Sequence, residues 1–91
     1  MFVIVAYDIT DDKRRLRVFQ ELKNFGARVL RSVFECHLTE DQLVTLKERL
    51  ALEIDCFEDN VRYYVLCKDD TASMEVVGKN VIYRDEDYFV V

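Results

Sequence analysis

Tyr7-Asp8-Ile9-Thr10-Asp11-Asp12-Lys13-Arg14 joins an apolar run, Phe2 to Tyr7, to a segment with helical periodicity, and the fold follows from how this junction is read. Within Phe2–Ile9, Phe2, Ile4 and Ala6 fall on one side and Val3, Val5 and Tyr7 on the other. Both faces are apolar, as expected of a central strand. Thr10 is the expected N-cap, and Asp11 and Asp12 suit the positive end of a helix reaching about Phe25. Val18, Phe19, Leu22 and Phe25 form its apolar stripe, with Gly26 as the expected terminator. Asp8 then lies at the carboxyl end of a buried strand, where open α/β sheets gather ligands. Two readings follow. With Lys13, Arg14, Arg15 and Arg17 a turn or two away, Asp8 holds a divalent cation and a phosphate together; alternatively, it stabilises the strand-to-helix turn, a common use of Asp. Arg15 continues the stripe of Val18 and Phe19 and is expected to point toward Asp8. Arg14 and Arg17 are expected to face solvent or a ligand.

Beyond this junction, Ala27–Leu38 reads as extended, because Val29, Leu30, Val33 and Phe34 lack helical spacing. Its length predicts a bend or hairpin near Arg31-Ser32. Thr39-Glu40-Asp41-Gln42 fits a capping box, with Leu38 and Leu43 as the hydrophobic staple. A second helix to about Ile54 faces the core with Leu43, Leu46, Leu50 and Ile54. Glu58-Asp59-Asn60 reads as a turn and Val61–Cys67 as another strand, apolar on both faces. Asp69–Met74 reads as a polar connection with room for a helical turn. Two short strand-like pieces, Val81–Tyr83 and Tyr88–Val91, follow it. The order β-α-β-β-α-β matches the split βαβ, α+β ferredoxin-like sandwich over residues 1–68. Residues 69–91 form a tail whose short strand suits dimer or partner contact. In that fold both helices cover one face of the sheet, so the apolar open face predicts a two-fold homodimer packed sheet to sheet. The symmetry axis is expected to bring the two Asp8 carboxylates near one another.

A hydrophobic content of 51% excludes a disordered chain. No apolar run approaches the length of a membrane span. Cys36, Cys56 and Cys67 form no C-x-x-C pair, and a single histidine argues against zinc. The thiols are expected to be reduced, in a cytoplasmic protein without a signal peptide. A net charge of −5 argues at first against nucleic acid, but its distribution reverses that. Residues 1–38 hold seven Lys/Arg against five Asp/Glu; residues 39–91 hold six against thirteen. Phosphate responds to the local field rather than to the global sum.

Two segments together, Tyr7-Asp8-Ile9-Thr10-Asp11-Asp12-Lys13-Arg14-Arg15 and Arg28-Val29-Leu30-Arg31-Ser32-Val33-Phe34-Glu35, closely resemble the signature stretches of the small CRISPR-associated adaptation endonucleases. These are the second core CRISPR adaptation protein (Cas-two), and the resemblance covers roughly residues 1–68. It implies a ferredoxin-like homodimer acting in spacer acquisition with the CRISPR integrase. It also implies metal-dependent cleavage of single-stranded RNA or double-stranded DNA, or else a non-catalytic scaffold that binds duplex DNA and the integrase. The family's metal-binding aspartate falls on Asp8, its helix-borne basic residues on Arg15 and Arg17, and its second motif on Arg28, Ser32 and Phe34. Cys36 departs from the small residue that often follows the Phe-Glu pair.

The expected chemistry is one Mg²⁺ (or Mn²⁺) held by Asp8 from each chain, since Mg²⁺ often takes only one or two carboxylates and keeps its waters. It lowers the pKa of a bound water and neutralises charge on the phosphorus. Arg15 or Arg28 is suited to pair a phosphate oxygen, with Arg14, Arg17 and Arg31 as further nucleic-acid contacts and Tyr7, Ser32 and Phe34 in support. Phe34 either stacks on a base or packs in the core; Arg31 and Ser32 are either contacts or ordinary turn residues. No general base is apparent. Asp85-Glu86-Asp87 reads as a solvated face, or as part of a strand that adds to a partner's sheet edge. A small regulatory or toxin-like dimer of the same fold is the rival from another class.

Overall fold

A computed structural model describes residues 1–66, 72–78 and 81–85. The elements are β1 (Phe2–Asp8), α1 (Asp12–Lys23), β2 (Gly26–Leu30), β3 (Val33–His37), α2 (Glu40–Glu53), β4 (Asn60–Leu66), β5 (Ala72–Gly78) and β6 (Val81–Asp85). They build one antiparallel sheet in the order β2-β3-β1-β4-β5-β6. The portion β2-β3-β1-β4 is the split βαβ arrangement: α1 carries the chain from β1 to β2, leaving a gap that β3 fills.

Strand alternation divides β1 as expected. Val3, Val5 and Tyr7 are buried, whereas Phe2, Ile4 and Ala6 are only half-buried. The buried set joins Val18 and Leu22 of α1, Leu43, Leu46 and Leu50 of α2, and Phe34, Cys36, Val61 and Tyr63 of the neighbouring strands in one core. Both helices therefore cover the same face. Leu38 and Leu43 are both buried around the Thr39 cap, as a hydrophobic staple requires. There Thr39 N donates to Gln42 Oε1 at 2.9 Å and Gln42 N to Thr39 Oγ1 at 3.2 Å.

The open face is less apolar than the sequence suggests. Ile4 sits between Glu35 and Tyr64, and Ala6 between Val33 and Arg62. Arg62 is exposed, so on its open face β4 carries a charge beside Tyr64 and Leu66. The half-burial of Phe2 has a local source, the His37 ring at 4.9 Å.

Several boundaries move for identifiable reasons. The N-cap of α1 is Asp11, not Thr10. Asp11 Oδ2 accepts from Arg14 N at 2.9 Å, while Thr10 N is drawn to Asp59 Oδ1 at 3.3 Å. Either side chain could cap, so the competing acceptor decides. Gly26 does not terminate α1, which ends at Asn24 in ordinary right-handed geometry. It opens β2, where a Cβ would strike Glu35 O and Cys36 Sγ, so the requirement is close strand approach. Ala72–Met74 belongs to β5 rather than to a polar connection, and Val81–Tyr83 falls within β6. Gly78 closes β5 at φ 135° with Asp59 O where a Cβ would stand. Only glycine fills such a position without strain. Cys67, residues 69–71, Glu86-Asp87 and Tyr88–Val91 lie outside the described residues. No described helix is long and apolar enough to cross a membrane.

Candidate nucleic-acid groove

Two charged clusters flank the first turn of α1, and burial distinguishes them. On one side Asp59 is 0% exposed and has a full set of partners. Its Oδ2 accepts from Arg14 Nε at 2.8 Å and Asp55 N at 2.9 Å, and its Oδ1 from Arg14 Nη2 at 3.2 Å and Thr10 N at 3.3 Å. Burial alone would raise the Asp59 pKa; the Arg14 guanidinium and the two amides outweigh it and leave the carboxyl below its usual range. Arg14 is correspondingly pushed up, chiefly by its hydrogen bond to Asp59, and it also meets Glu58 at 3.2 Å. The expectation that Arg14 faces solvent or a ligand does not hold for its guanidinium, which ties the α2–β4 loop to α1. Arg17 Nε lies 2.8 Å from Glu53 Oε2, an ion pair without hydrogen-bond alignment between a half-exposed arginine and a buried carboxylate oxygen.

On the other side a groove of about 700 Å³ is lined by Tyr7, Asp8, Ile9, Asp12, Arg15, Leu16, Phe19, Arg28, Arg31 and Ser32. Strand parity places each member of β1. Asp8 follows Ala6 on the open face but lies exposed at the end of the strand, so it borders both this groove and a smaller one with Ala6, Asn60 and Arg62. Tyr7 points the other way, and its hydroxyl donates to Arg31 O at 3.4 Å while Tyr7 N donates to Ser32 O at 3.0 Å. These two bonds anchor the β2–β3 turn beside Asp8. Burial raises the Tyr7 pKa, with Arg28 and Arg15 opposing that shift, so the phenol remains a donor at neutral pH.

Arg28 stands opposite Phe34 in the β2–β3 register and hence on the helix side. Its Cζ lies 5.1 Å from the Phe19 centroid. That is a cation–π contact, and it orients an exposed guanidinium. A register shift between Arg28 and Leu30 breaks the ladder at the strand's end, leaving Val29 and Leu30 exposed. Arg15 points toward the Asp8 end as expected, with Nη1 donating to Ile9 O at 3.1 Å and Nη2 to Asp12 Oδ1. Among the described residues, no carboxylate pairs with Arg28 or Arg31.

Phe34 is fully buried, with Phe19 edge-on at 5.7 Å and Tyr7 at 6.3 Å, so no ring face is open to a base. Leu16, Phe19 and Asp12 line the groove, although periodicity assigns Phe19 to the core, Asp12 to the helix dipole and Leu16 to neither. Their spacing along one helix side, with Arg15 among them, is the signal that was present. The Arg14–Asp59 pair left no local signal. His37, the single histidine, pairs with Phe2 at the far end of β1 from Asp8.

Among the described residues no three His, Cys, Asp or Glu side chains converge as a metal cage. Asp8 is a lone exposed carboxylate, and Asp12, the other carboxylate of the groove, is held by Arg15. This donor set fits a hard cation that keeps most of its waters, such as Mg²⁺; it does not fit a dehydrated, protein-enclosed ion.

Fold and groove together define a small ferredoxin-like protein with an arginine-lined groove at the end of its central strand. The family model described as CRISPR associated protein Cas2 matches residues 1–74, and the chain belongs to that family. A "CRISPR-associated endoribonuclease Cas2" of Mycobacterium tuberculosis is 48% identical, covering 97% of this chain and 75% of that relative. A "CRISPR-associated endonuclease Cas2 2" of Thermus thermophilus is 42% identical, covering 81% of this chain and 78% of that relative. Of solved structures, Streptococcus pyogenes Cas2 superposes with a TM-score of 0.70 at 38% identity, covering 76% of this chain and 89% of that one. A hypothetical protein from Thermus thermophilus gives 0.71 at 36%, covering 90% and 93%.

Proposed function

We propose that this chain is a divalent-cation-dependent endonuclease of CRISPR spacer acquisition, working in the cytoplasm as a homodimer beside the CRISPR integrase. Family membership and the endonuclease and endoribonuclease names of its relatives support the class of activity. The observation that carries the site is the exposed Asp8 at the mouth of a groove lined by Arg15, Arg28 and Arg31. Asp8 shares its face with Phe2, Ile4 and Ala6, the half-buried strip on which a second copy would pack. A two-fold axis there brings a second Asp8 toward the first, which suits one Mg²⁺ (or Mn²⁺) shared by two carboxylates.

When bound, the cation supplies charge neutralisation at the phosphorus and acidifies water. The chain's own residues do the rest. Asp8 fixes where the cation sits. Arg28 and Arg31 bind phosphate oxygens, Arg28 oriented by Phe19 and the β2–β3 turn held by Tyr7 and Ser32. Arg15 exchanges Asp12 for phosphate when substrate enters, because a charge-assisted bond to phosphate replaces an exposed pair of little intrinsic worth.

A second reading has its own support. No histidine lines the groove, and His37 stands opposite Phe2, at the other end of β1 from Asp8. Six residue steps of strand connect those ends, a span of about 20 Å at the usual rise per residue. Without an assigned general base, a dimeric scaffold that holds duplex DNA for the integrase uses the same arginines. Asp8→Asn separates the two. Cleavage of labelled RNA and duplex DNA with Mg²⁺ or Mn²⁺ should fall roughly 100-fold, on the scale of losing one preorganised charge at a reacting centre. Equal cleavage by variant and wild type would remove the catalytic reading, and spacer acquisition that survives the change would favour the scaffold.

A further inference from the structure

Ile9 O and Thr10 N belong to one peptide group, and each is held by a side chain. Arg15 Nη1 donates to Ile9 O at 3.1 Å from the groove side. Thr10 N donates to Asp59 Oδ1 at 3.3 Å on the buried side. The bond is trans, so its carbonyl and its N–H point in opposite directions. Where the N–H goes therefore decides where the carbonyl goes. This peptide lies between the end of β1 at Asp8 and the start of α1 at Asp12, so neither the ladder nor the helix fixes it. Asp59 is in no position to follow if it turns. Arg14 Nε and Nη2 and Asp55 N hold the Asp59 carboxylate, and its main-chain carbonyl stands against Gly78.

Arg15 depends on that carbonyl. Its side chain is half-exposed, and its other contact, Asp12, is the surface carboxylate that phosphate replaces when substrate enters. The bond to Ile9 O is the one that remains through the exchange. A long exposed side chain without such a tether loses rotamer freedom on binding, and that loss subtracts from affinity. We propose that Asp59 is a positioning residue for the phosphate contact made by Arg15. Buried and out of reach of any ligand, it acts through the Ile9–Thr10 peptide, turning the Ile9 carbonyl toward the groove and so holding the Arg15 guanidinium in place. This inference rests on the groove being the nucleic-acid site, and it adds a buried determinant of that site's affinity.

The test is a double-mutant cycle on the full chain, read as binding of a labelled single strand of RNA by fluorescence anisotropy in EDTA, so that no cleavage intervenes. Arg15→Ala should weaken wild type about tenfold. In the Asp59→Asn background the same change should cost no more than about twofold, because the two residues act as one unit. Arg31→Ala should cost the same factor in both backgrounds, since Tyr7 and not this peptide holds its backbone. A protein that was merely destabilised would scale every affinity by its folded fraction and leave both factors unchanged. A second measurement does not require Asp59→Asn to fold. Coupling through one peptide is reciprocal, so Arg15→Ala should speed exchange of the Thr10 amide hydrogen about fivefold in the free protein, read by NMR. Arg31→Ala should not change that rate. An equal Arg15→Ala factor in both backgrounds, or a Thr10 exchange rate unmoved by Arg15→Ala, would overturn the proposal. Either outcome leaves the groove reading standing while Arg15→Ala and Arg31→Ala still weaken wild-type binding. If neither does, or if wild type binds no strand, the groove reading falls and this inference with it.

Discussion

Arg14 and Arg15 are neighbours on one helical turn, yet they have opposite fates. Arg14 is clamped against a carboxylate with no solvent exposure, and both oxygens of Asp59 have donors. Arg15 turns the other way into an open groove, where Arg28 and Arg31 have no carboxylate partner among the described residues. Charge in a small domain therefore sorts by burial. A buried, fully satisfied pair joins elements distant in sequence, and removing one partner strands the other. Exposed guanidinium groups without acidic partners add little to stability and leave a positive field directed at whatever enters.

Asp59→Ala is the change that should separate the two arginines most. Losing the carboxylate leaves Arg14, Thr10 N and Asp55 N without their acceptor, and unfolding free energy should fall by about 3 kcal/mol, read from urea denaturation. Asp8→Asn should shift the same curve by less than about 0.5 kcal/mol while reducing cleavage as described, because an exposed side chain at a strand end carries little of the fold. If both variants unfold alike, the division between lock and groove is wrong.

Acid should widen the contrast. The folded-state pKa of Asp59 lies below its unfolded value of about 3.9, so the unfolded chain takes up its proton first. The stability this group contributes is fully present above that unfolded value and is lost as pH falls through the folded one. Urea midpoints from pH 7 to pH 3 should therefore drop more steeply in wild type than in Asp59→Asn. Parallel curves would mean that Asp59 is not held in its charged form.

Smaller effects test the groove side. Arg28→Ala and Arg31→Ala should each lower the slope of log affinity against log salt by about 0.7 on a single strand, with a nearly unchanged melting temperature. Arg17→Ala should do least. In its pair with Glu53 the arginine is half-exposed and poorly aligned with the carboxylate. Stability should change by no more than about 0.5 kcal/mol, and binding hardly at all.

Much of the scaffold was legible in the residues. Alternation in Phe2–Tyr7, the stripes Val18-Phe19-Leu22 and Leu43-Leu46-Leu50, and the Thr39–Gln42 box each depend on neighbours within a turn or two, and each appears where the pattern places it. Asp8 and Arg15 were legible together for the same reason. What went unread involves partners far apart in sequence. Asp59 looked like a turn residue because its arginine is 45 positions away. Phe34 was ambiguous until Phe19 and Tyr7 closed over it, and Thr10 looked like the cap until Asp59 took its amide.

The order of elements, the faces of β1, α1 and α2, and the gathering of basic residues around Asp8 were already written along the chain. Those follow from periodicity and capping, which are local. Which arginines remain exposed, and which aromatic ring lines the groove, was settled by the folded arrangement alone. Ion pairing and burial depend on distances between segments that meet only once the sheet has formed, and no pattern along the chain encodes a distance across it.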